Sequence, residues 1–201
     1  MARPKATPEQ RAEVRRSIQR AATDLYREEG LSAISARAVA KKAGVSVGTI
    51  YSYFGDLAGL GQSLWAGRVA RQEEVFREIA GQHQDPVERI QALLHAYLAF
   101  GIDQHELYRN VLLFVRPGAL GTPEKQDLSA FAFPTLLKAA IEQGQGSGDI
   151  RASNPGDLAQ ILWSGVHGAL ALPVNLDRVE LKPAKAMIEA TVAGLLRMVR
   201  V

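Results

Sequence analysis

The amino-acid sequence predicts an all-α protein in which a short N-terminal helical domain precedes a larger helical one. Apolar residues recur every three or four positions along most of the chain, which is the spacing of one face of an α-helix. Sustained apolar–polar alternation is missing, as are Asn-Gly or Asp-Gly turns between apolar runs, so neither strands nor hairpins are indicated. The length of 201 residues suits one sizeable domain, or a small and a medium one.

The first helix is predicted to begin at Thr7-Pro8 and to end at Gly30. Proline is favoured in a first turn because its missing N–H leaves no hydrogen bond unmade there, and glycine commonly ends a helix. The apolar residues between these signals follow helical spacing and are Ile18, Ala21, Ala22, Leu25 and Tyr26. One face of this helix is therefore expected to be buried.

Two short helices joined by a tight glycine-containing turn are predicted next, and this arrangement is a helix-turn-helix. Ser35 is expected to cap the first helix, which ends at Gly44, and Ser46 is expected to cap the second. The three predicted helices together form a compact N-terminal domain.

The third helix lies within AGVSVGTIYSYF, residues 43–54, whose composition is unusual for a helix that faces solvent. Its few apolar residues are expected to face inward and are Val45, Ile50 and Phe54. Five hydroxyl side chains remain for the outer face: Ser46, Thr49, Tyr51, Ser52 and Tyr53. Because hydroxyls and helix N-terminal N–H groups bind phosphate oxygens, this face is predicted to dock on a polar partner such as DNA.

The charge distribution also favours a nucleic-acid partner. Residues 1–55 carry ten Lys and Arg against five Asp and Glu, whereas the remaining 146 residues carry 14 against 16. A basic front end joined to a slightly acidic body is typical of a nucleic-acid reader linked to a second domain.

The rest of the chain is predicted to form amphipathic helices. Their start signals are Leu57, Asp85-Pro86, Asp103, Asn154-Pro155 and Pro183, together with a helix over residues 127 to about 143. Asp103, with Glu106 three residues later, indicates a variant capping box. Pro134 is expected to break or kink its helix, and GQGSGD, residues 144–149, is expected to be a flexible loop.

The last predicted helix carries a broad apolar stripe. Its members are Ala184, Met187, Ile188, Thr191, Val192, Leu195, Leu196 and Val199. A terminal helix so apolar is expected to pack on its own body, on a second subunit, or on both.

Residues 32–60, SAISARAVAKKAGVSVGTIYSYFGDLAGL, resemble the DNA-binding domain of the TetR family of bacterial transcriptional repressors. Two C-terminal segments, HELYRNVLLF (105–114) and LWSGVHGALAL (162–172), resemble one C-terminal subfamily of that family, with a Trp-His-Gly signature. The resemblance implies a homodimer joined through its last two helices. It also implies a helix-turn-helix domain over residues 1–55, and a larger ligand-binding and dimerisation domain over residues 56–201 that holds an unidentified small-molecule effector.

The resemblance also implies roles for individual residues. On the DNA side these are Ser35, Thr49, Tyr51 and Tyr53 at phosphates, Arg37, Val47, Gly48 and Ser52 at or near base edges, and the capping residue Ser46. The candidate effector-binding residues are Tyr97, Phe100, Tyr108, Phe114, Trp163 and His167. Family members often carry Lys where this chain has Leu57, so Arg3 and Lys5 on the N-terminal arm are expected to supply the missing phosphate charge.

Other functional classes are disfavoured by the sequence. The chain has no Cys and its four His are scattered, so no metal site is predicted. Nucleotide-binding, hydrolase and metalloprotease motifs are missing, so neither a cofactor nor an enzymatic activity is predicted. Without a secretory signal or a long apolar run, a cytoplasmic protein that does not enter the membrane is expected. The predicted function is a ligand-responsive repressor released from a near-palindromic double-stranded operator. The alternatives are a constitutive dimeric DNA-binding protein and a small-molecule binder that does not act on DNA.

Overall fold

The structure of the protein, a computed structural model, describes residues 7–30, 33–112, 127–176 and 178–201. Within these ranges the chain forms α1 (Pro8–Glu29), α2 (Ala36–Ala43), α3 (Val47–Phe54), α4 (Leu57–Gln82), α5 (Pro86–Asp103), α6 (His105–Val111), α7 (Ala132–Ser147), α8 (Pro155–Asn175) and α9 (Ala184–Val199). No strand occurs in these ranges, apart from one isolated antiparallel bridge between Ile150 and Arg200. The predicted all-α fold class is confirmed.

The predicted ends of the first helices are confirmed. Thr7 accepts a hydrogen bond from the N–H of Gln10, whose side chain accepts one from the N–H of Thr7, so α1 begins with a capping box. Gly30 and Gly44 follow α1 and α2 with positive φ angles of 82° and 67°. Glycine adopts these angles without a steric penalty, which is why both helices end where the sequence indicates.

The described residues divide into two compact units, and the first lies within residues 7–67. Its core joins α1, α2 and α3 to the start of α4 through fully buried apolar side chains: Ile18, Ala22, Val39, Ile50 and Leu60. Leu57 and Leu64 pack partly against the same core. This small core holds α2 and α3 against α1, which leaves the opposite side of both helices open to solvent.

The second unit lies within residues 68–201 and is built around α5, which packs against α7, α8 and α9. Its fully buried side chains include Ile90, Leu93, Leu94 and Leu98 of α5, Leu137 and Ile141 of α7, and Leu162 and Val166 of α8. Asp85 and Asn154 cap α5 and α8 as predicted, each accepting hydrogen bonds from two first-turn N–H groups.

Three local predictions were wrong. Asp103 is the last residue of α5 rather than a cap, and α6 begins after Gln104 without any side-chain cap. Pro134 lies in the first turn of α7, where proline is tolerated, so it does not break that helix. Residues 144–147 are helical rather than a loop. Gly144 is buried and has no side chain, so Ile150 folds back against the helix end, and the Gly144 carbonyl accepts hydrogen bonds from the N–H groups of Asp149 and Ile150.

The predicted domain boundary after residue 55 precedes α4, whereas the two compact units divide after residue 67, inside that helix. The boundary itself stays a prediction. In the part of the chain described, none of the helices combines the length and apolar character needed to cross a lipid bilayer.

Candidate functional site

The turn between α2 and α3 is set by Gly44, with φ 67° and ψ 30° in the left-handed region. Val45 N–H donates to the carbonyl of Ala40 at 3.0 Å, which closes the end of α2. Ser46 then begins α3 after a turn of only a few residues. The predicted helix-turn-helix is thus formed by local backbone geometry that glycine permits.

The hydroxyls at the helix starts serve the protein's own backbone. Ser35 Oγ accepts from the N–H of Ala38 at 3.1 Å, and Ser46 Oγ accepts from the N–H of Thr49 at 3.1 Å. The Ser46 and Thr49 hydroxyls also hydrogen-bond each other at 2.8 Å. Ser46 is therefore a helix cap first, and its predicted contact with DNA stays a prediction.

The outer face of the helix-turn-helix is polar and exposed at most predicted positions. Ser35, Arg37, Ser46, Gly48, Tyr51 and Ser52 are exposed, and the Tyr51 side chain keeps 47% of its accessible surface. Val47, Thr49 and Tyr53 are half-buried, and Val47 and Tyr53 pack against the core of the first unit. The expectation of an entirely outward-facing hydroxyl set therefore holds only in part, because Thr49 and Tyr53 are half-buried.

Gly48 stands out because packing among the described residues does not require it. A Cβ built at this position meets only Ser46 Oγ, at an ordinary contact distance of 3.7 Å. Alanine would fit at this position and favours a helix more than glycine does, so the described contacts of the protomer do not explain the glycine. Close approach of a partner to the backbone would explain it.

Ion pairs occupy some of the basic residues of the first unit. Lys42 pairs with Glu28 at 2.5 Å, and this carboxylate raises the pKa of Lys42. Glu13 pairs with Arg16 at 2.7 Å and with Arg20 at 2.8 Å.

Other basic residues keep their charge available. Arg37 and Lys41 are exposed, and neither forms an ion pair with another described residue. The half-buried Leu57 contributes to the core of the first unit, which explains an apolar residue there. Arg3 and Lys5, the predicted source of phosphate charge, lie outside the described residues.

A second candidate site is a cluster of aromatic side chains in the second unit, where Tyr97 and Tyr108 meet His167. The Tyr97 hydroxyl lies 3.0 Å and the Tyr108 hydroxyl 2.9 Å from Nδ1 of His167. Tyr108 also donates to the His167 backbone carbonyl at 3.3 Å. Phe100 packs edge-on against both tyrosines, with ring centroids 6.3 Å and 6.1 Å away.

Burial reinforces the uncharged state of the Tyr97, Tyr108 and His167 side chains. It raises the pKa of Tyr97 to about 12, and it raises the pKa of Tyr108 as well, where the neighbouring Tyr97 adds to the effect. Burial also lowers the pKa of His167. All three groups are therefore uncharged near pH 7, and an uncharged molecule is the ligand that such surroundings tolerate best.

The structure brings five of the six predicted effector-binding residues together: Tyr97, Phe100, Tyr108, Trp163 and His167. Trp163 lies one turn before His167 on α8 and packs against Phe131, with centroids 6.1 Å apart. Its buried Nε1 makes no hydrogen bond of standard geometry with a described residue, although its interaction with the Tyr97 hydroxyl lowers the pKa of that tyrosine, against the larger effect of burial. Phe114 lies outside the described residues.

The cluster also contains two aromatic residues that the sequence did not single out. Phe133 lies 4.5 Å from the Tyr97 ring centroid, and Phe76 stacks 6.3 Å from it. Tyr97 and Tyr108 retain only 2% and 1% of their surface, so the rings are closely packed. Two open surface concavities lie elsewhere, one along α1 and one beside Asp85 and Asp149.

Comparisons with known proteins bear on both sites. Residues 18–61, which include all of the helix-turn-helix, match the sequence profile of the bacterial regulatory proteins of the tetR family. No curated protein sequence matches the chain significantly.

Several solved structures share the fold. A TetR transcription regulator from Haloarcula marismortui ATCC 43049 has a TM-score of 0.63 and 18% identity, with 94% of this chain and 100% of that one covered. A transcriptional regulator of the TetR/AcrR family from Thermobifida fusca YX-ER1 has a TM-score of 0.60 and 20% identity, covering 92% and 97%. The transcriptional regulator FadR from Bacillus subtilis, in complex with stearoyl-CoA, has a TM-score of 0.62 and 18% identity, covering 90% and 97%.

At these identities the solved structures establish the fold alone, whereas the profile match concerns the sequence of the helix-turn-helix itself. The chain therefore has a TetR-like fold, and its residues 18–61 match the N-terminal domain of the TetR family.

Proposed function

We propose that the protein is a ligand-responsive transcriptional regulator that represses by binding a near-palindromic operator. The observation that carries this proposal is the exposed polar face of α2 and α3, within the segment that matches the tetR family. Ser35, Thr49, Tyr51 and Tyr53 are proposed to bind phosphates. The residues proposed to lie at or near base edges are Arg37, Val47, Gly48 and Ser52. The proposed activity is DNA binding, not catalysis. We expect a cytoplasmic location, because the operator is there.

Homodimerisation through α8 and α9 is part of this proposal. Ile161 and Leu172 of α8 are apolar yet 48% and 51% exposed. Beside them, Leu195 of α9 fits against Gly165, where an added Cβ would lie 2.6 Å from Leu195 Cδ2. Ile161, Gly165 and Leu172 are spaced to lie on one face of α8, and the half-buried Leu195 of α9 borders that face, which suits a self-complementary two-fold interface.

The effector is proposed to bind at the aromatic cluster, whose Trp163 and His167 belong to the Trp-His-Gly segment. The cluster offers ring surfaces, the hydroxyls of Tyr97 and Tyr108, and the Trp163 N–H beside the Tyr97 hydroxyl. This chemistry favours an uncharged, largely apolar molecule with a hydrogen-bond acceptor. FadR from Bacillus subtilis, described in complex with stearoyl-CoA, is an example of a ligand-binding regulator with this fold.

Repression and release are linked by differential affinity. An effector releases the operator only if its affinity is higher for the conformation that does not bind DNA than for the one that does. A 100-fold difference between these two affinities corresponds to about 2.7 kcal/mol. We propose that the effector prefers a conformation of the dimer in which the distance between the two α3 helices no longer matches the spacing of the two half-sites.

The proposal is tested by letting the full-length protein select duplexes from a randomised pool and measuring binding to the selected sequence. We expect the selected sequence to be near-palindromic. It should bind about 1,000-fold more tightly than a scrambled duplex at the same salt, a ratio typical of a specific regulator. Equal affinity for selected and scrambled duplexes would contradict it.

A constitutive DNA-binding protein without effector is the second candidate, and the close packing of Tyr97 and Tyr108 favours it. Thermal denaturation with 2-acetonaphthone, and with the matched anion 2-naphthoate, separates the two candidates. Stabilisation by the neutral ketone alone, absent in a Trp163→Phe variant, supports an effector site. DNA binding without any such stabilisation favours the constitutive protein.

A further inference from the structure

The last turn of α3 is held by a residue of α1. Arg15 Nη1 donates a hydrogen bond to the Tyr53 carbonyl at 3.0 Å, and its guanidinium carbon lies 4.6 Å from the centroid of the Phe54 ring. Carbonyls in the last turn of a helix lack intrahelical partners and form the negative end of the helix dipole. Arg15 therefore meets α3 at the point where a cation stabilises it most.

The neighbouring carbonyl is confined from the other side. A Cβ at Gly59 would overlap the carbonyl oxygen of Phe54, so the first turn of α4 packs directly on the end of α3. Gly59 N–H donates to Asp56 Oδ1 at 2.6 Å, which keeps that turn in place. The end of α3 thus lies between Arg15 of α1 and Gly59 of α4.

Arg15 is not engaged by the acidic residue nearest to it in sequence. Glu13 is paired with Arg16 and Arg20, and Arg15 forms no ion pair with any described residue. Its planar guanidinium can therefore donate to the carbonyl while stacking on the ring, a combination that Lys reproduces poorly.

We infer that Arg15 is a positioning residue for the DNA-facing helix: it sets the orientation of α3 through Tyr53 and Phe54 and does not itself bind phosphate. This inference rests on the proposed DNA-binding function. It predicts that loss of Arg15 damages sequence recognition, which needs an accurately placed helix, more than it damages electrostatic attraction to DNA.

The experiment compares full-length wild type with Arg15→Gln, Arg15→Lys and Phe54→Leu, on the selected duplex and on its scrambled version. Arg15→Gln should weaken binding to the selected duplex about tenfold, the effect of losing a charge-assisted hydrogen bond, and binding to the scrambled duplex less than about twofold. The slope of log K against log salt should stay unchanged. Phe54→Leu should act in the same direction, and Arg15→Lys should recover part of the affinity.

Amide exchange without DNA supplies an independent measurement, in which the amides of Tyr53, Phe54 and Gly55 should exchange faster in Arg15→Gln. Equal weakening on both duplexes, with a slope reduced by about 0.9 per subunit, would make Arg15 a phosphate-binding residue and overturn the inference. Unchanged exchange and unchanged affinity would overturn it too. If the wild type itself prefers no duplex, the DNA-binding proposal fails, while exchange still decides whether Arg15 holds α3.

Discussion

The Tyr108 hydroxyl lies 2.9 Å from Nδ1 of His167, although 59 residues separate the two in sequence. The Tyr97 hydroxyl lies 3.0 Å from the same nitrogen. In a neutral imidazole, Nδ1 carries either an N–H or a lone pair. With an N–H it can donate to both hydroxyl oxygens at once, and with a lone pair it accepts a hydrogen bond from one of the two hydroxyls. Protonation of the ring would remove the accepting option altogether and bury a charge.

Stability should therefore fall on mild acidification. Because burial lowers the pKa of His167, the unfolded chain takes up this proton near pH 6.5 while the folded protein resists it. The stabilising contribution is complete above that pH and is lost as the pH falls towards the folded-state pKa. Urea denaturation at pH 7.5, 6.5 and 5.5, at constant protein concentration, measures this.

A His167→Gln protein should show a flatter dependence over the same interval, whereas the exposed His105→Gln control should behave like wild type. Parallel curves for wild type and His167→Gln would mean that His167 does not contribute to the pH dependence.

Tyr51 and Arg37 are expected to affect DNA binding differently. Tyr51→Phe removes only an exposed hydroxyl, and loss of its hydrogen bond to phosphate should weaken all duplexes by about 1 kcal/mol. Arg37→Ala should weaken the selected duplex by about 1–3 kcal/mol and the scrambled one less. Titrations of both variants on both duplexes distinguish these roles, and equal weakening by Arg37→Ala would remove it from base readout.

Gly48→Ala should make the free protein more stable and the DNA complex weaker. Among the described residues, only Ser46 Oγ lies within 4 Å of the added methyl, so the helical preference for Ala should raise the free energy of unfolding by about 0.5 kcal/mol. Gly61→Ala in α4 is the control, since it also enters open space and should stabilise without affecting DNA. Unaltered operator affinity in Gly48→Ala would show that the backbone there is not approached closely.

A charge on the exposed face of α8 should separate the subunits without unfolding them. Leu172→Glu is tolerated within one protomer because Leu172 is 51% exposed, but in a dimer it buries an unpaired carboxylate. The dimer dissociation constant should rise by at least tenfold, about 1.4 kcal/mol, as measured by sedimentation.

Gln160→Glu adds the same charge at another exposed position of α8 and should leave the dimer intact. Leu196→Glu is a poor test, because Leu196 is buried within the protomer and its loss would unfold it. A monomeric wild type at micromolar concentration would contradict the interface.

Deleting residues 2–6 tests the N-terminal arm. If Arg3 and Lys5 bind phosphate, the slope of log K against log salt should decrease by about 0.9 for each phosphate that a subunit no longer neutralises, and all duplexes should be weakened similarly. An unchanged slope would leave Arg11, Lys41 or Lys42 as the source of charge. Leu57→Lys would add a charge at the start of α4, but it would also disturb the core against which Leu57 packs.

The sequence by itself determined the helical architecture and most helix ends. Caps such as Ser35 and Ser46, and the chain-reversing Gly30 and Gly44, act within a few residues, so local patterns predict them. At residues 144–147 the local signal misleads, because the segment that follows the helix changes the outcome. Ile150 folds back over Gly144 there.

Only the tertiary structure decided which side chains meet. Aromatic residues spaced along a helix predict a buried face. They do not predict that the Tyr97 and Tyr108 hydroxyls both lie within hydrogen-bond distance of His167 Nδ1, or that Phe76 and Phe133 pack against Tyr97. The same holds for Arg15, which looks like one more surface cation in α1 until α3 ends beside it. Helix periodicity is encoded within a few residues, whereas these contacts depend on how helices far apart in sequence pack together, and no local pattern records that.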